Sequence, residues 1–185
     1  MTALLDVAPV ARRPDITEAF EDVDVVPPTH VEVLACGAPD RGDDGAAVMA
    51  VGRLTDALPP DVRTRIVGQL DIDDLLAVPK GAGVVVADTA LGVDPGWIVE
   101  IPFSGLAGRE AGIRPRSSHA LSIPETIAVA SIIRGHPLPG IVVAIGGVDF
   151  GLGEALSWPV ASAMDAFALA IADAIGRVRT LVLAG

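Results

Sequence analysis

Residues 31–54, VEVLACGAPDRGDDGAAVMAVGRL, join an apolar strand to an amphipathic helix through an acidic turn. The stretch begins with a short, mostly apolar run containing β-branched residues, and the glycines and the proline that follow end it. Apolar side chains then recur at helical spacing from residue 46 to residue 54. Asp43 and Asp44 therefore stand at the start of a predicted helix.

The two adjacent aspartates have two interpretations. A carboxylate at a helix N-terminus caps free N–H groups and suits the helix dipole, which contributes about 0.5 to 2 kcal/mol. One aspartate is enough for that purpose. Two in succession, enclosed by Gly42 and Gly45, exceed what capping requires, so a functional site is an equally good explanation.

Length, composition and charge limit the fold and the partners. The chain has 185 residues, 51% of them apolar and only 3% aromatic, so Ala, Val, Leu and Ile must build its core. Such a core is typical of a parallel sheet covered by helices. The net charge of −11 argues against nucleic acid and against an anionic membrane surface as partners, because both would repel the chain.

The compartment is predicted from the single cysteine and the hydropathy. Cys36 has no second cysteine to pair with, so we expect a reducing cytoplasm, with this residue as a small apolar side chain at a strand end. No stretch is long and uncharged enough to span a bilayer. We therefore expect a cytoplasmic protein without a membrane partner, and a monomer.

The rest of the chain alternates predicted strands and helices. Strands are expected at 62–67, 83–87, 97–101 and 141–145, and helices at 71–78, 123–133 and 157–178. This order predicts a three-layer α/β fold, in which an open, mainly parallel, twisted sheet carries helices on both faces. The strand at 97–101 is expected at an edge, and Ser157 is expected to cap the last helix.

The N-terminal residues have a different composition from the rest. Residues 1–30 mix Asp, Glu and Pro with scattered apolar residues, which is typical of a flexible extension. The folded domain is therefore predicted to comprise residues 31–185. His30 lies at the junction, where we expect a solvated loop histidine.

Three polar residues are candidates for a common site. In open α/β sheets, ligands bind beyond the carboxyl ends of the strands. Asp44 follows the first strand, Asp88 follows the central strand GVVVA, and His119 closes a long loop that could reach the same crevice. Two carboxylates and one imidazole suit a divalent transition metal, or a general acid and base. Each residue also has a structural interpretation, as a cap, a turn former or a polar loop residue.

Two other chemistries fit the sequence poorly. The glycine-rich turn lacks the GK[ST] of a phosphate-binding loop, and its aspartates would repel a phosphate. A serine hydrolase of the G-x-S-x-G type is excluded because that motif is absent from the chain.

Three segments together resemble the nickel-iron hydrogenase maturation endopeptidases: GAPDRGDDGAAV at 37–48, VVVADTA at 84–90 and SSHAL at 117–121. The resemblance covers residues 31 to about 180. It implies a twisted sheet between helices and a cytoplasmic peptidase that trims the C-terminal extension of a hydrogenase large-subunit precursor after nickel insertion. It also implies that Asp44, Asp88 and His119 are the metal-contacting and catalytic positions. The nickel would belong to the precursor, so no cofactor would be bound permanently.

The chain departs from the family's pattern in loops that border the predicted crevice. Ala38 stands where asparagine is usual, Ala47 replaces a common glycine, and Gln69 follows Gly68 where a Gly-Thr pair is typical. Two rival functions therefore stay open. One is a non-catalytic assembly factor that recognises a metallocentre with the same crevice, and the other is a metal hydrolase that acts on small molecules.

Overall fold

Five strands form one sheet in the computed structural model, which describes residues 30–106, 121–153 and 155–183. The strands are β1 (Val31–Cys36), β2 (Val62–Gly68), β3 (Gly83–Ala90), β4 (Ile98–Pro102) and β5 (Gly140–Gly146). Their order across the sheet is β2-β1-β3-β5-β4. All neighbouring strands are parallel except β4 and β5, which are antiparallel. The predicted edge position of β4 is confirmed.

Helices cover both faces of this sheet. The α-helices of the described residues are α1 (Ala46–Leu54), α2 (Ile72–Leu76), α3 (Ile123–Arg134) and α4 (Trp158–Leu183), with short 3-10 segments at Gly42–Gly45, Thr55–Ala57 and Phe103–Gly105. Val33 and Val85 pack under α1 and α4, whereas their neighbours Leu34 and Val86 pack under α2 and α3. Alternate side chains of the central strands thus enter different cores. The predicted three-layer α/β fold is confirmed.

Two differences from the predicted elements bear on the site. β3 continues through Ala90 instead of ending before Asp88, because these last residues keep pairing with β5. Ser157 does precede α4, and its carbonyl accepts the Ala161 N–H at 2.8 Å. Its hydroxyl, however, donates to the carboxylate of Asp43 at 2.8 Å, so the side chain binds the acidic turn.

The strand order opens a crevice between β1 and β3. From β1 the chain passes outward to β2 and then returns to the other side of β1 as β3, so the connections leave these two strands in opposite directions. β1 pairs with β3 only as far as Ala35 and Ala87. Cys36 then pairs with Gly68 of β2 after a register shift. The strands therefore part just before Asp88, at the kind of position where open α/β sheets bind ligands.

The start of the described chain is tied to the domain. The prediction that His30 is a solvated loop residue is wrong, since its Nδ1 lies 2.9 Å from Oδ2 of Asp61 and its side chain is only 29% exposed. Residues 1–29, predicted as a flexible extension, lie outside the described residues. Among the helices described here, none combines the length and apolar character that crossing a membrane requires.

Candidate active site at the crevice between β1 and β3

Asp44 lies in the turn that follows β1, within the 3-10 segment that leads into α1. Its side chain is half-buried, and Oδ2 accepts a hydrogen bond from the backbone N–H of Ala38 at 3.1 Å. This bond closes the turn on itself and holds the carboxylate near the end of β1. The backbone of Ala38 makes the contact, so the absence of the usual asparagine side chain leaves it intact.

Gly37 makes this geometry possible. Its φ of +105° lies in the left-handed region, and a Cβ at this position would overlap the carbonyl oxygen of Asp44. Its N–H also donates to the carbonyl of Gly68 at 2.6 Å, which ties the turn to the end of β2. Any other residue at position 37 would therefore displace Asp44.

Asp43 is a buried structural residue of the same turn. It is fully buried, and its carboxylate accepts hydrogen bonds from the amides of Val148, Asp149 and Ser157 and from the hydroxyl of Ser157, at 2.7 to 2.9 Å. Burial alone would raise the pKa of Asp43, but these donors outweigh it and hold the pKa below its usual value. The ionised Asp43 thus anchors the loop between β5 and α4 to the acidic turn.

Asp88 is the second carboxylate of the crevice. It is half-buried on β3, one residue beyond the last pair that β3 makes with β1. Burial raises the pKa of Asp88 to about 7, with the negative charge of Asp44 adding to the effect, although the N–H of Thr89 donates to Oδ1 at 2.8 Å and acts in the opposite direction. A carboxyl group with this pKa exists in both protonation states near neutral pH, which suits general acid and base catalysis.

One buried hydrogen bond joins the segments that carry the two carboxylates. Oγ1 of Thr89 donates to the carbonyl of Asp43 at 2.8 Å. Because Thr89 follows Asp88 and Asp43 precedes Asp44, this bond limits how far the two carboxylates can separate. Apart from its position after Asp88, Thr89 has no sequence feature that predicts this hydrogen bond.

Cys36 is a buried free cysteine at the end of β1. Its side chain is buried, and burial together with the charges of Asp88, Asp74 and Asp44 raises the pKa of the thiol well above its usual value. The thiol is therefore protonated at neutral pH and is a poor nucleophile. This agrees with the prediction of a small apolar residue at a strand end.

His119, the third predicted site residue, lies outside the described residues, so its place in the site stays a prediction. Within residues 30–106, 121–153 and 155–183, no three His, Cys, Asp or Glu side chains are grouped to hold a metal ion. The described part of the site thus consists of Asp44 and Asp88. A separate groove lies between β4, α3 and α4 and is lined by Phe103, Ile127 and others, but it contains neither carboxylate.

No family model and no curated protein matches this sequence. Solved structures do match. The nickel-iron hydrogenase maturation protease HybD from Thermococcus kodakarensis is 23% identical with a TM-score of 0.62, over 79% of this chain and 99% of that chain. The maturation protease HycI from the same organism is 21% identical with a TM-score of 0.60, over 80% and 93% of the two chains. The hydrogenase maturating endopeptidase HybD from E. coli is 16% identical with a TM-score of 0.65, also over 80% and 93%.

These similarities establish the fold. The chain has the fold of the hydrogenase maturation proteases, the same proteins that its three sequence segments resemble. The fold implied by that resemblance is confirmed.

Proposed function

We propose that this chain, which has the fold of the nickel-iron hydrogenase maturation proteases, is itself a cytoplasmic endopeptidase of hydrogenase maturation. Its substrate is a hydrogenase large-subunit precursor, from which it removes the C-terminal extension after nickel insertion. The observation that carries the proposal is that Asp88 lies where β1 and β3 part and that the charge of Asp44 contributes to raising its pKa. The names of the similar structures and the motifs around both carboxylates support it.

In this proposal the crevice recognises nickel that arrives with the precursor. Asp44, Asp88 and His119 are the contacting residues, and carboxylate oxygens and imidazole nitrogen are suitable ligands for a divalent metal of this kind. Because the metal belongs to the substrate, a precursor without nickel lacks the group that the crevice binds. Cleavage is therefore restricted to precursors that have received their metal.

Asp88 is the residue best suited to move protons during hydrolysis. Its ionised form accepts a proton from the attacking water, whose oxygen bonds to the carbonyl carbon of the scissile peptide. The resulting carboxylic acid returns the proton to the leaving nitrogen as the C–N bond breaks. The pKa of about 7 belongs to the metal-free crevice, and a cation bound beside Asp88 would favour its ionised form, which is the form that accepts the proton from water.

Two of the three substitutions that separate this chain from the family pattern, Ala38 and Ala47, leave the described crevice undisturbed, and the third, Gln69, is exposed directly after β2. Ala38 provides the hydrogen bond to Asp44 through its backbone. Ala47 is fully buried in the core under α1 and α4, where its methyl group is accommodated. This favours the endopeptidase over an assembly factor that has lost catalysis.

The test is the mass of a nickel-loaded large-subunit precursor after incubation with the purified protein. The wild type is expected to shorten the precursor, whereas Asp44→Asn and His119→Ala each reduce the rate at least 100-fold without changing the circular dichroism spectrum. Asp56→Asn is the matched control, because Asp56 is an exposed aspartate in the 3-10 segment Thr55–Ala57, which follows α1 and lies outside the acidic turn.

Wild-type rates in Asp44→Asn and His119→Ala would remove these residues from the site. A precursor that binds the wild type but keeps its mass would support the assembly factor. Tight metal binding by the isolated protein, without any precursor, would support the small-molecule hydrolase.

A further inference from the structure

Both tryptophans of the chain are exposed. The sequence contains two tryptophans, and Trp97 and Trp158 are 68% and 80% exposed. Tryptophan has a large apolar surface whose removal from water is favourable, so it is highly buried on average. Only 3% of the residues in this chain are aromatic. The fold itself does not explain why both tryptophans are exposed to solvent.

The two tryptophans lie on adjoining segments at one end of the sheet. The N–H of Gly96 donates to the carbonyl of Gly146, and the N–H of Gly146 donates to the carbonyl of Trp97, both at 2.8 Å. A Cβ on Gly96 would lie 2.7 Å from the carbonyl oxygen of Pro159, the residue after Trp158. Both side chains therefore belong to the end of the sheet where β5 finishes and where Asp88 lies.

Further exposed apolar side chains continue this surface. They lie on the loops that follow β3 and β5, and the N–H of Gly147 joins these loops by donating to the carbonyl of Ala90 at 3.0 Å. Together with the tryptophans they form a surface that we call the apolar rim: Leu91, Trp97, Val148, Leu152 and Trp158.

The apolar rim is attached firmly to the acidic turn. The N–H of Val148 donates to the carboxylate of Asp43 at 2.9 Å. Gly153, next to Leu152, donates to the carbonyl of Asp40 at 2.8 Å and accepts from the N–H of Gly42 at 2.5 Å. The backbone that carries Val148 and Leu152 is thus fixed before any partner binds, which reduces the entropy lost in ordering this loop on binding.

Negative charge predominates among the described residues of the turn and loops that carry the apolar rim. In the turn and loops at 37–45, 91–97 and 147–153, the exposed charged residues are Asp40, Asp94, Asp149 and a single cation, Arg41. A partner surface that combines apolar residues with Lys or Arg would complement this arrangement. A second copy of this chain would bring the same negative charge, so self-association through the apolar rim is disfavoured.

We propose that the apolar rim is the docking surface for the substrate protein, and that it binds an apolar segment flanked by basic residues on the folded precursor. Large exposed apolar patches mark protein interaction sites, and tryptophan is prominent among the residues that dominate binding energy. The identity of the partner rests on the proposed function. Docking beside Asp44 and Asp88 would hold the precursor while the crevice acts on its metal and its chain end.

The test compares the double variant Trp97→Ser, Trp158→Ser with the wild type in processing the nickel-loaded precursor. We expect KM to rise at least tenfold while kcat at saturating precursor is unchanged, because the rim residues bind the precursor outside the reacting groups. Ile132→Ser is the matched control, since Ile132 is 78% exposed on α3, away from the apolar rim. The single variant Leu152→Ser tests the surface without altering a tryptophan and is expected to raise KM to a smaller extent.

Fluorescence gives an independent measurement, because both tryptophans of the chain lie on this surface. Binding of the precursor to the wild type is expected to shift the tryptophan emission to shorter wavelength, measured as the difference from the precursor alone.

Unchanged KM in all rim variants, with intact wild-type processing, would overturn the docking surface and leave the proposed function standing. A wild type that neither binds nor processes the precursor would overturn the proposed function. A wild-type dimer that the double variant converts to a monomer would show that the apolar rim is a self-contact.

Discussion

Asp43 and Asp44 show how two identical neighbouring side chains acquire different roles. The carboxylate of Asp43 points into a set of backbone and hydroxyl donors, so its charge is satisfied and its pKa is lowered. The carboxylate of Asp44 accepts one described hydrogen bond, from Ala38, and contributes a negative charge that raises the pKa of Asp88. Among the described contacts, neither carboxylate accepts from the first N–H groups of α1, so the capping interpretation of this pair is wrong: Asp43 anchors the loop between β5 and α4, and Asp44 stays a candidate for function.

At the residue scale, the raised pKa of Asp88 predicts how the stability of the protein depends on pH. Burial raises this pKa from 3.8 to about 7 on folding, so the folded state holds the proton more tightly than the unfolded state. The contribution of Asp88 to the free energy of unfolding is therefore largest below pH 4. It falls between pH 4 and 7 by up to about 1.4 kcal/mol per pH unit. Asp88→Asn removes this dependence.

Thermal unfolding of the metal-free protein at several pH values checks this prediction. The Tm of Asp88→Asn is expected to exceed that of the wild type by a margin that grows from pH 4 to pH 7 and is constant above. Asp40→Asn, an exposed control, should keep the wild-type profile. Parallel profiles for the wild type and Asp88→Asn would contradict the raised pKa.

At the scale of elements, the acidic turn and the loop between β5 and α4 behave as one unit. Asp43 belongs to the first and binds the amides of Val148, Asp149 and Ser157 in the second. Thr89 joins the same unit from β3 through its bond to the carbonyl of Asp43. These contacts connect residues 46 to 114 positions apart in the sequence, and they set both the crevice and the apolar rim.

Removing the charge of Asp43 should loosen this unit. Asp43→Asn replaces one acceptor oxygen by an NH₂ group that faces N–H donors, so we expect a loss of about 3 kcal/mol in the free energy of unfolding. Urea denaturation measures it. Since the pKa of Asp43 is lowered on folding, its contribution is present above the unfolded value of 3.8 and is lost as the pH falls through the folded value. The difference in the free energy of unfolding between the wild type and Asp43→Asn should shrink on acidification below pH 4. A difference that stays constant would contradict the lowered pKa of Asp43.

At the scale of the whole molecule, an ionic cluster around the buried carboxylate of Asp61 joins distant parts of the chain at the end of the sheet opposite the crevice. Oδ2 of Asp61 accepts from Nε of Arg179 on α4 at 2.7 Å and lies 2.9 Å from Nδ1 of His30. The hydrogen bond from Arg179 lowers the pKa of Asp61, with His30 contributing in the same direction, although burial opposes both. The cluster links the residue before β1, the start of β2 and the last helix.

Asp61→Asn is expected to cost about 2 kcal/mol in the free energy of unfolding, because it leaves the guanidinium of Arg179 without its charged partner. Asp165→Asn is the matched control. Asp165 pairs with Arg53 at 2.9 Å but is fully exposed, and such pairs contribute little. Urea denaturation of both variants makes the comparison, and equal effects would show that burial does not matter here. Processing of the precursor should be unaffected in either variant at temperatures where both are folded.

The sequence by itself determined the alternation of strands and helices, the three layers and the location of the acidic turn, because these depend on local periodicity, turn residues and caps. It also singled out Asp44 and Asp88 as residues that follow predicted strands, whereas the strand order shows that these strands are neighbours. Only the tertiary structure decided that Asp43 anchors the loop between β5 and α4, how far the pKa of Asp88 is raised, and that Trp97 and Trp158 lie at the same end of the sheet. These features depend on strand order and on contacts between residues far apart in the chain, which local patterns do not encode.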